Sequence, residues 1–140
     1  FPRASVEHAP FDFSFSGLKS AVLNYLNMCQ MKGIEINTKD IAASFQKSIV
    51  DSLTVRAMLA CKEYNMKKFA IAGGVASNSA IRAAFEKECE KHGIKFYRPS
   101  SVFCTDNAAM IGTAAYYEYM AGTRHGWDLN AVPNLKLGER

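Results

Sequence analysis

The stretch KKFAIAGGVASNSAIRAAFEKECEKHGIKFYRP, residues 67–99, contains a strand, a helix and a second strand in succession. KKFAIAGG is a short apolar run between lysines and glycines, which is typical of a parallel strand buried on both faces. A capping cluster and an apolar stripe at helical spacing then predict a helix that stops at Gly93. The stripe consists of Ile81, Ala84, Phe85 and Cys89. IKFYRP, ended by Pro99, predicts the second strand. Because a further helix follows Asp106 and stops at Gly122, the order indicates an α/β unit with parallel strands and a right-handed crossover.

Upstream of this unit, FDFSFSG (11–17) alternates phenylalanine with polar residues, the period of a half-buried strand. Ser16 is expected to cap a first helix, and Thr38 a second, longer one that ends near Asn65. Their apolar stripes are Leu18, Ala21, Val22, Tyr25 and Cys29 in the first helix, and Ile41, Phe45, Ile49, Leu53, Ala57 and Cys61 in the second. These helices are too apolar for so thin a sheet, which indicates that a neighbouring segment is missing. Residues 123–140 are predicted to form a loop-like tail that is anchored by Trp127 and Leu129.

Composition narrows the class of protein. The 140 residues fit one ordinary domain, and 49 % hydrophobic residues exclude a disordered chain. Neither a membrane span nor a signal peptide is visible. Four scattered cysteines without a CxxC pair favour reduced thiols in the cytoplasm over disulfides or a zinc site. The net charge of +4 is compatible with a nucleic-acid partner but too small to predict one. Since the chain opens without methionine, we interpret residues 1–140 as a single fragment of a longer protein.

The first candidate site is IAGGVASN, residues 71–78. Gly73 and Gly74 follow a predicted strand and precede a helix, which is where α/β proteins bind ligands, because glycines admit a close backbone approach. A tight turn that needs glycine for its dihedral angles explains the pair equally well. Asn78 is either the cap of its helix or a hydrogen-bonding group for a ribose or base.

The second candidate is Asp106, which also lies between a strand and a helix. A right-handed crossover places it on the same sheet edge as Gly74. Thr105 is already a competent N-cap, so capping does not require Asp106. The carboxylate could hold a divalent cation or a substrate amine, yet one carboxylate is not a metal site. A favourable interaction with the helix dipole, about 0.3–1 kcal/mol, is the simpler explanation.

Four segments resemble the carboxyl-terminal part of the TsaD family, the universal tRNA threonylcarbamoyladenosine synthase subunit, in its bacterial form. They are DFSFSGLKSAV (12–22), AGGVASNSAIR (72–82), CTDNAAMIG (104–112) and LNAVPNLKLGE (129–139). The resemblance implies part of the second lobe of an actin-like and Hsp70-like ATPase (ribonuclease H-like) fold. It also implies transfer of a threonylcarbamoyl group from threonylcarbamoyl-adenylate to the adenosine next to the anticodon of tRNA. A non-catalytic ATP-binding assembly module and the family's older label, a metal-dependent glycoprotein endopeptidase, are the alternatives.

The resemblance also implies roles for individual residues. Asp106 corresponds to a ligand of one divalent metal ion, which is iron, zinc or magnesium. Asn78 corresponds to a contact of the nucleotide, threonylcarbamoyl-adenylate or ATP, above a loop made by Gly73 and Gly74. A bound metal would polarise the carbamoyl carbonyl as a Lewis acid. The roles of Ser16 and Lys19 in FSFSGLK stay open.

The family's other metal ligands belong to an HxxxH motif in its first lobe, and this chain has no such motif. We therefore expect the fragment alone to be inactive and to self-associate through apolar surface. The implied partners are tRNA, the missing amino-terminal lobe, and the TsaB and TsaE proteins of the same machinery, with no membrane. The implied location is the cytoplasm.

Overall fold

The computed structural model describes residues 1–3, 6 and 8–136, and within them the chain is α/β. Four helices and two strands are present in these residues: α1 (Ser16–Met31), α2 (Thr38–Glu63), β1 (Lys68–Ala70), α3 (Ser79–Lys91), β2 (Lys95–Tyr97) and α4 (Ala108–Met120). Short 3₁₀ turns cover Gly74–Ser77 and Ser101–Phe103. The strands pair in parallel, with Phe69 opposite Phe96, as the sequence predicts. The chain divides into two compact units, Phe1–Thr105 and Asp106–Arg140.

The core of the first unit lies where α2 and α3 pack against the sheet. Val50 of α2 and Ile81 and Phe85 of α3 are buried together. The Phe85 ring lies 4.9 Å from that of Phe69 and 6.4 Å from that of Phe96, centroid to centroid. The predicted stripe of α3 is thus confirmed, because its members are buried or half-buried. These apolar contacts fix the carboxyl ends of both strands, where the candidate site lies.

The sheet itself is covered on one face only. Phe69 and Phe96 are half-buried, whereas the alternate residues of both strands are exposed: Lys68, Ala70, Lys95 and Tyr97. The prediction of strands buried on both faces is therefore wrong. The ladder is three residues long and alternates at period two, the pattern of a half-buried strand.

The predicted strand at FDFSFSG is also wrong. Residues 12–15 have no regular structure, and α1 begins at Ser16. Phe13 and Phe15 stack on each other, with 6.4 Å between ring centroids, and both rings are exposed. Alternation alone does not make a strand, because backbone N–H and C=O groups need a ladder partner. Among the described residues, β1 and β2 are the only paired strands.

Three helix caps differ from the sequence prediction by one or two residues. Phe15 is the N-cap of α1 and makes no side-chain capping bond. Asn37, rather than Thr38, caps α2 by accepting from the N–H groups of Lys39 and Asp40. Asn107, rather than Thr105, caps α4 by accepting from Met110 N at 3.0 Å. Because asparagine, serine and threonine all cap helices, a cluster of them predicts the start but not the capping residue.

The second unit consists of α4 and the segment after it. Residues 121–136 form no helix or strand. Trp127 and Leu129 are exposed, so the prediction that they anchor the tail is wrong. Arg124 has that role instead, since its guanidinium stacks 3.7 Å from the Tyr119 ring centroid and donates to the Tyr119 carbonyl. The last four residues of the LNAVPNLKLGER end, 137–140, lie outside the described residues.

Candidate functional site

Gly73 and Gly74 form the turn between β1 and α3 and differ in what they require. Gly73 has φ +84° and ψ 171°, a conformation essentially restricted to glycine. Gly74 is different, because a Cβ added there would lie 3.9 Å from Thr105 Cγ2, an ordinary van der Waals distance. The backbone conformation therefore requires glycine at position 73. At position 74 the fold has room for a small side chain.

Asn78 closes this turn and begins α3. Its Oδ1 accepts hydrogen bonds from the backbone N–H groups of Ala80 and Ile81, at 3.0 and 3.1 Å. Its Nδ2 donates to Gln46 Oε1 of α2 at 3.1 Å. The capping interpretation of Asn78 is confirmed. Its amide nitrogen carries a second N–H beyond the one donated to Gln46.

A cleft of about 510 Å³ opens beside Gly74 and Asn78 in the first unit. Its walls combine apolar side chains with the two hydrogen-bonded amides: Ala42, Phe45, Gln46, Ile49, Gly74, Val75, Asn78 and Ile81. An apolar cleft with a few convergent polar groups has the chemical character of a small-molecule site. Gln46 was missed by sequence reasoning, because it is an exposed residue of α2 and only the tertiary contact with Asn78 marks it.

Two loops at the carboxyl edge of the sheet are joined by Arg82 of α3. We call residues 71–78 the glycine loop and residues 98–105 the second loop. The guanidinium donates to the Ala76 carbonyl in the glycine loop. It also donates to the Pro99 carbonyl at 3.2 Å and to Cys104 Sγ at 3.1 Å in the second loop. No periodicity distinguishes Arg82 from other helical arginines, so sequence reasoning missed it as well.

Asp106 is the first residue of the second unit and is exposed. It is not the cap of α4, since Asn107 provides the capping oxygen. The first turn of α4 has no acidic residue. The simplest structural role for a residue at this position is to cap the helix, and the neighbouring Asn107 already does so.

A complete metal site is not formed by the described part of the chain. Within residues 1–3, 6 and 8–136, no three His, Cys, Asp or Glu side chains come together in a way that could hold a metal ion. Asp106 on its own offers one ligand, and a divalent ion needs several. The residues present do not by themselves fit a metal.

Comparison with known proteins decides the family. The profile of the TsaD family, described as tRNA N6-adenosine threonylcarbamoyltransferase, matches residues 1–113. The chain belongs to the TsaD family. The resemblance of its motifs to that family is thereby confirmed, and the match includes Gly73, Gly74, Asn78 and Asp106.

Individual TsaD relatives agree with the family match. The tRNA N6-adenosine threonylcarbamoyltransferase of Clostridium botulinum strain Hall is 59 % identical over all 140 residues. The proteins of the same name from Clostridium perfringens strain 13 and Clostridium beijerinckii are 57 % and 56 % identical. In each case the alignment spans the whole of this chain and 41 % of the relative. This chain therefore spans less than half the length of the TsaD proteins it matches.

None of the helices described in this TsaD chain combines the length and apolar character needed to cross a bilayer.

Proposed function

We propose that the full-length protein containing this chain is a tRNA N6-adenosine threonylcarbamoyltransferase. The observation that carries the proposal is 59 % identity, across all 140 residues, to a Clostridium botulinum protein of that name. The reaction would form a bond between the threonylcarbamoyl carbonyl carbon and the exocyclic nitrogen of adenosine. It would break the bond from that carbon to the phosphate oxygen of the adenylate, releasing AMP and a proton from the amine. This chain would contribute one wall of the site, and the remaining groups would come from the part of the protein outside it.

The fold proposed for this wall is the second lobe of an actin-like and Hsp70-like ATPase. The order β1–α3–β2–α4 and the parallel pairing of the two strands support it. In such folds ligands bind beyond the carboxyl ends of the strands. The glycine loop and the second loop follow β1 and β2 directly, so they are the segments expected to face the ligand.

The nucleotide contacts would come from Gly73, Gly74 and Asn78. Backbone N–H groups at a glycine turn before a helix suit the phosphate of an adenylate or of ATP. The Asn78 amide retains one N–H beyond its bond to Gln46, and this donor can reach a ribose or base in the cleft. Each of these groups binds and orients the substrate, and none of them needs to change its protonation state.

Asp106 would supply one ligand of the family's divalent metal ion, with its other ligands outside this chain. The support is that Asn107 already caps α4, so the fold does not require the Asp106 carboxylate as a cap. The ion itself would be iron, zinc or magnesium.

The proposed partners are those of a tRNA-modifying enzyme in the cytoplasm. The tRNA would be held mainly through its backbone, as structured RNA generally is. The rest of the same protein would complete the cleft. TsaB and TsaE are the further proteins we propose as partners.

The test is the identity of the product. The full-length protein, supplied with TsaB, TsaE, threonylcarbamoyl-adenylate and unmodified tRNA, is expected to yield the modified adenosine in nuclease digests. A glycoprotein substrate should remain intact. Cleaved glycoprotein, or nucleotide binding without any tRNA modification, would overturn the proposal and favour the endopeptidase or the assembly module.

A further inference from the structure

Arg82 makes three hydrogen bonds to groups that lie on two different loops. Its Nε donates to Ala76 O of the glycine loop, and its Nη2 donates to Pro99 O and Cys104 Sγ of the second loop. All three bonds are partly buried. A planar guanidinium presents several donors in a fixed fork, so one side chain can set the spacing between both loops.

Arg82 itself is held by the rigid part of the fold. It lies one helical turn after Asn78, and its backbone N–H donates to the Asn78 carbonyl at 3.1 Å. Its neighbour Ile81 belongs to the buried core. The Arg82 guanidinium therefore extends from α3, a helix that is held in place by the core.

The second loop contacts this guanidinium through the Pro99 carbonyl and the buried Cys104 thiol. Cys104 is 3 % exposed, and its thiol donates to the Ser100 carbonyl at 3.6 Å. The two loops also approach each other directly at Gly74 and Thr105. Thr105 in turn precedes Asp106 in the chain.

We propose that Arg82 is a positioning residue for the transfer reaction. It holds the glycine loop and the second loop at a fixed spacing, so that a nucleotide bound at the glycine loop meets the second loop in one fixed position. This inference rests on the function proposed above. Arg82 acts through the loop backbones and need not touch the substrate.

Removal of the Arg82 guanidinium should lower the turnover rate more than it weakens substrate binding. The glycine loop retains its own N–H groups, so substrate affinity depends little on the second loop. Alignment between the loops matters for the reacting atoms, where a displacement of about 1 Å can cost on the order of 100-fold in rate. A fall in kcat with a steady KM is therefore the expected signature.

The experiment uses the full-length protein with Arg82→Met, which keeps the apolar stem, and Arg82→Lys, which keeps the charge but not the fork. In Arg82→Met, kcat should fall about 10- to 100-fold while the KM for threonylcarbamoyl-adenylate stays within about threefold. Arg82→Lys should show a smaller fall in kcat. Arg56→Met is the matched control, since Arg56 also donates to a backbone carbonyl, that of Pro10, at 2.8 Å.

Two results would overturn the inference in protein shown to be folded. One is a kcat of Arg82→Met within about threefold of the unaltered protein. The other is a raised KM at unchanged kcat, which would make Arg82 a binding residue.

A second measurement does not depend on the activity. Alkylation of Cys104, located by mass spectrometry, should be at least about tenfold faster in Arg82→Met than in Arg56→Met, because exposure governs thiol reactivity. Equal rates would overturn the role of Arg82 in holding the two loops, even if transfer were observed. Absence of transfer in the unaltered protein, with faster alkylation of Cys104 in Arg82→Met, would instead overturn the proposed function and support the role of Arg82 in holding the loops.

Discussion

The Asn78 amide nitrogen lies 3.1 Å from Gln46 Oε1, and this bond connects the start of α3 to α2. The oxygen of the same amide caps α3. The helix cap and the proposed nucleotide contact therefore use different atoms of one side chain. Substitutions that keep one atom and remove the other can separate the two roles.

Asn78→Asp should retain stability and lose nucleotide affinity. Aspartate caps helices about as well as asparagine, and the exposed Gln46 amide can turn to donate its own N–H to the new carboxylate, so the melting temperature should change little. It cannot donate to a ribose or base, and its charge repels phosphate, so affinity for ATP should fall at least about tenfold, the equivalent of about 1.4 kcal/mol. Calorimetric titration of the full-length protein measures this. Unchanged affinity for ATP would mean that Asn78 caps α3 and does not contact the nucleotide.

Asn37→Ala supplies the matched control for Asn78→Ala. Each asparagine caps a helix through two backbone N–H bonds. Each substitution should cost about 1 kcal/mol of stability. Only Asn78→Ala should also weaken ATP binding. An equal effect of both variants on binding would mean that lost stability, rather than a lost contact, explains the result.

Gly73 and Gly74 should respond differently to substitution. Gly73→Ala forces a side chain into a glycine-only conformation and should cost on the order of 1–3 kcal/mol of stability. Gly74→Ala should leave the melting temperature nearly unchanged, because the added Cβ meets Thr105 at van der Waals distance. Gly74→Val should weaken nucleotide binding per folded molecule. If valine lowers only the melting temperature, the loop is a turn and not a nucleotide cradle.

Asp106→Asn should sharply reduce both metal content and threonylcarbamoyl transfer in the full-length protein. Stability should change by less than about 1 kcal/mol, because at most a charge–dipole interaction is lost and Asn107 keeps the cap. Elemental analysis of the purified variant, beside its melting curve, measures this. Normal metal stoichiometry with normal activity would return Asp106 to a structural role.

The sequence predicted the parallel strands and α3 because Ile81 and Phe85 recur at the helical period and become the core. It predicted the cap of α3 at Asn78 but placed the caps of α2 and α4 on neighbouring threonines, because Asn37 and Asn107 compete with those threonines for the same backbone donors. FDFSFSG has the period of a strand, but a strand also requires a partner, and periodicity cannot show one.

Some residues of the candidate site can be predicted from the sequence and others cannot. Gly73 and Asn78 are visible in sequence because turn and cap chemistry are local. Gln46 and Arg82 are not, because their contacts join segments 32 and up to 22 residues apart. Such contacts are determined by packing, which a single sequence does not display.

Asp51 should make stability depend on pH. Hydrogen bonds from Lys47 and from Arg3 hold the pKa of its carboxyl below the ordinary value. A lowered pKa in the folded state stabilises the protein above the unfolded pKa, and this contribution disappears as pH falls through the folded pKa. Asp51→Asn should therefore cost up to about 1 kcal/mol at neutral pH, and this cost should begin to shrink near the ordinary pKa of aspartate, about 3.9, and vanish below the lowered pKa of the folded state. A melting-temperature difference that stays constant from neutral to acidic pH would contradict this.

The transferase function can be measured by mass spectrometry of nucleosides from tRNA incubated with the full-length protein, TsaB, TsaE and threonylcarbamoyl-adenylate. N6-threonylcarbamoyladenosine is expected next to the anticodon with the full-length protein. None is expected with residues 1–140 alone, which should bind nucleotide weakly at most and self-associate through exposed apolar surface. Unmodified tRNA from folded full-length protein, or modified tRNA from residues 1–140 alone, would contradict the proposed function.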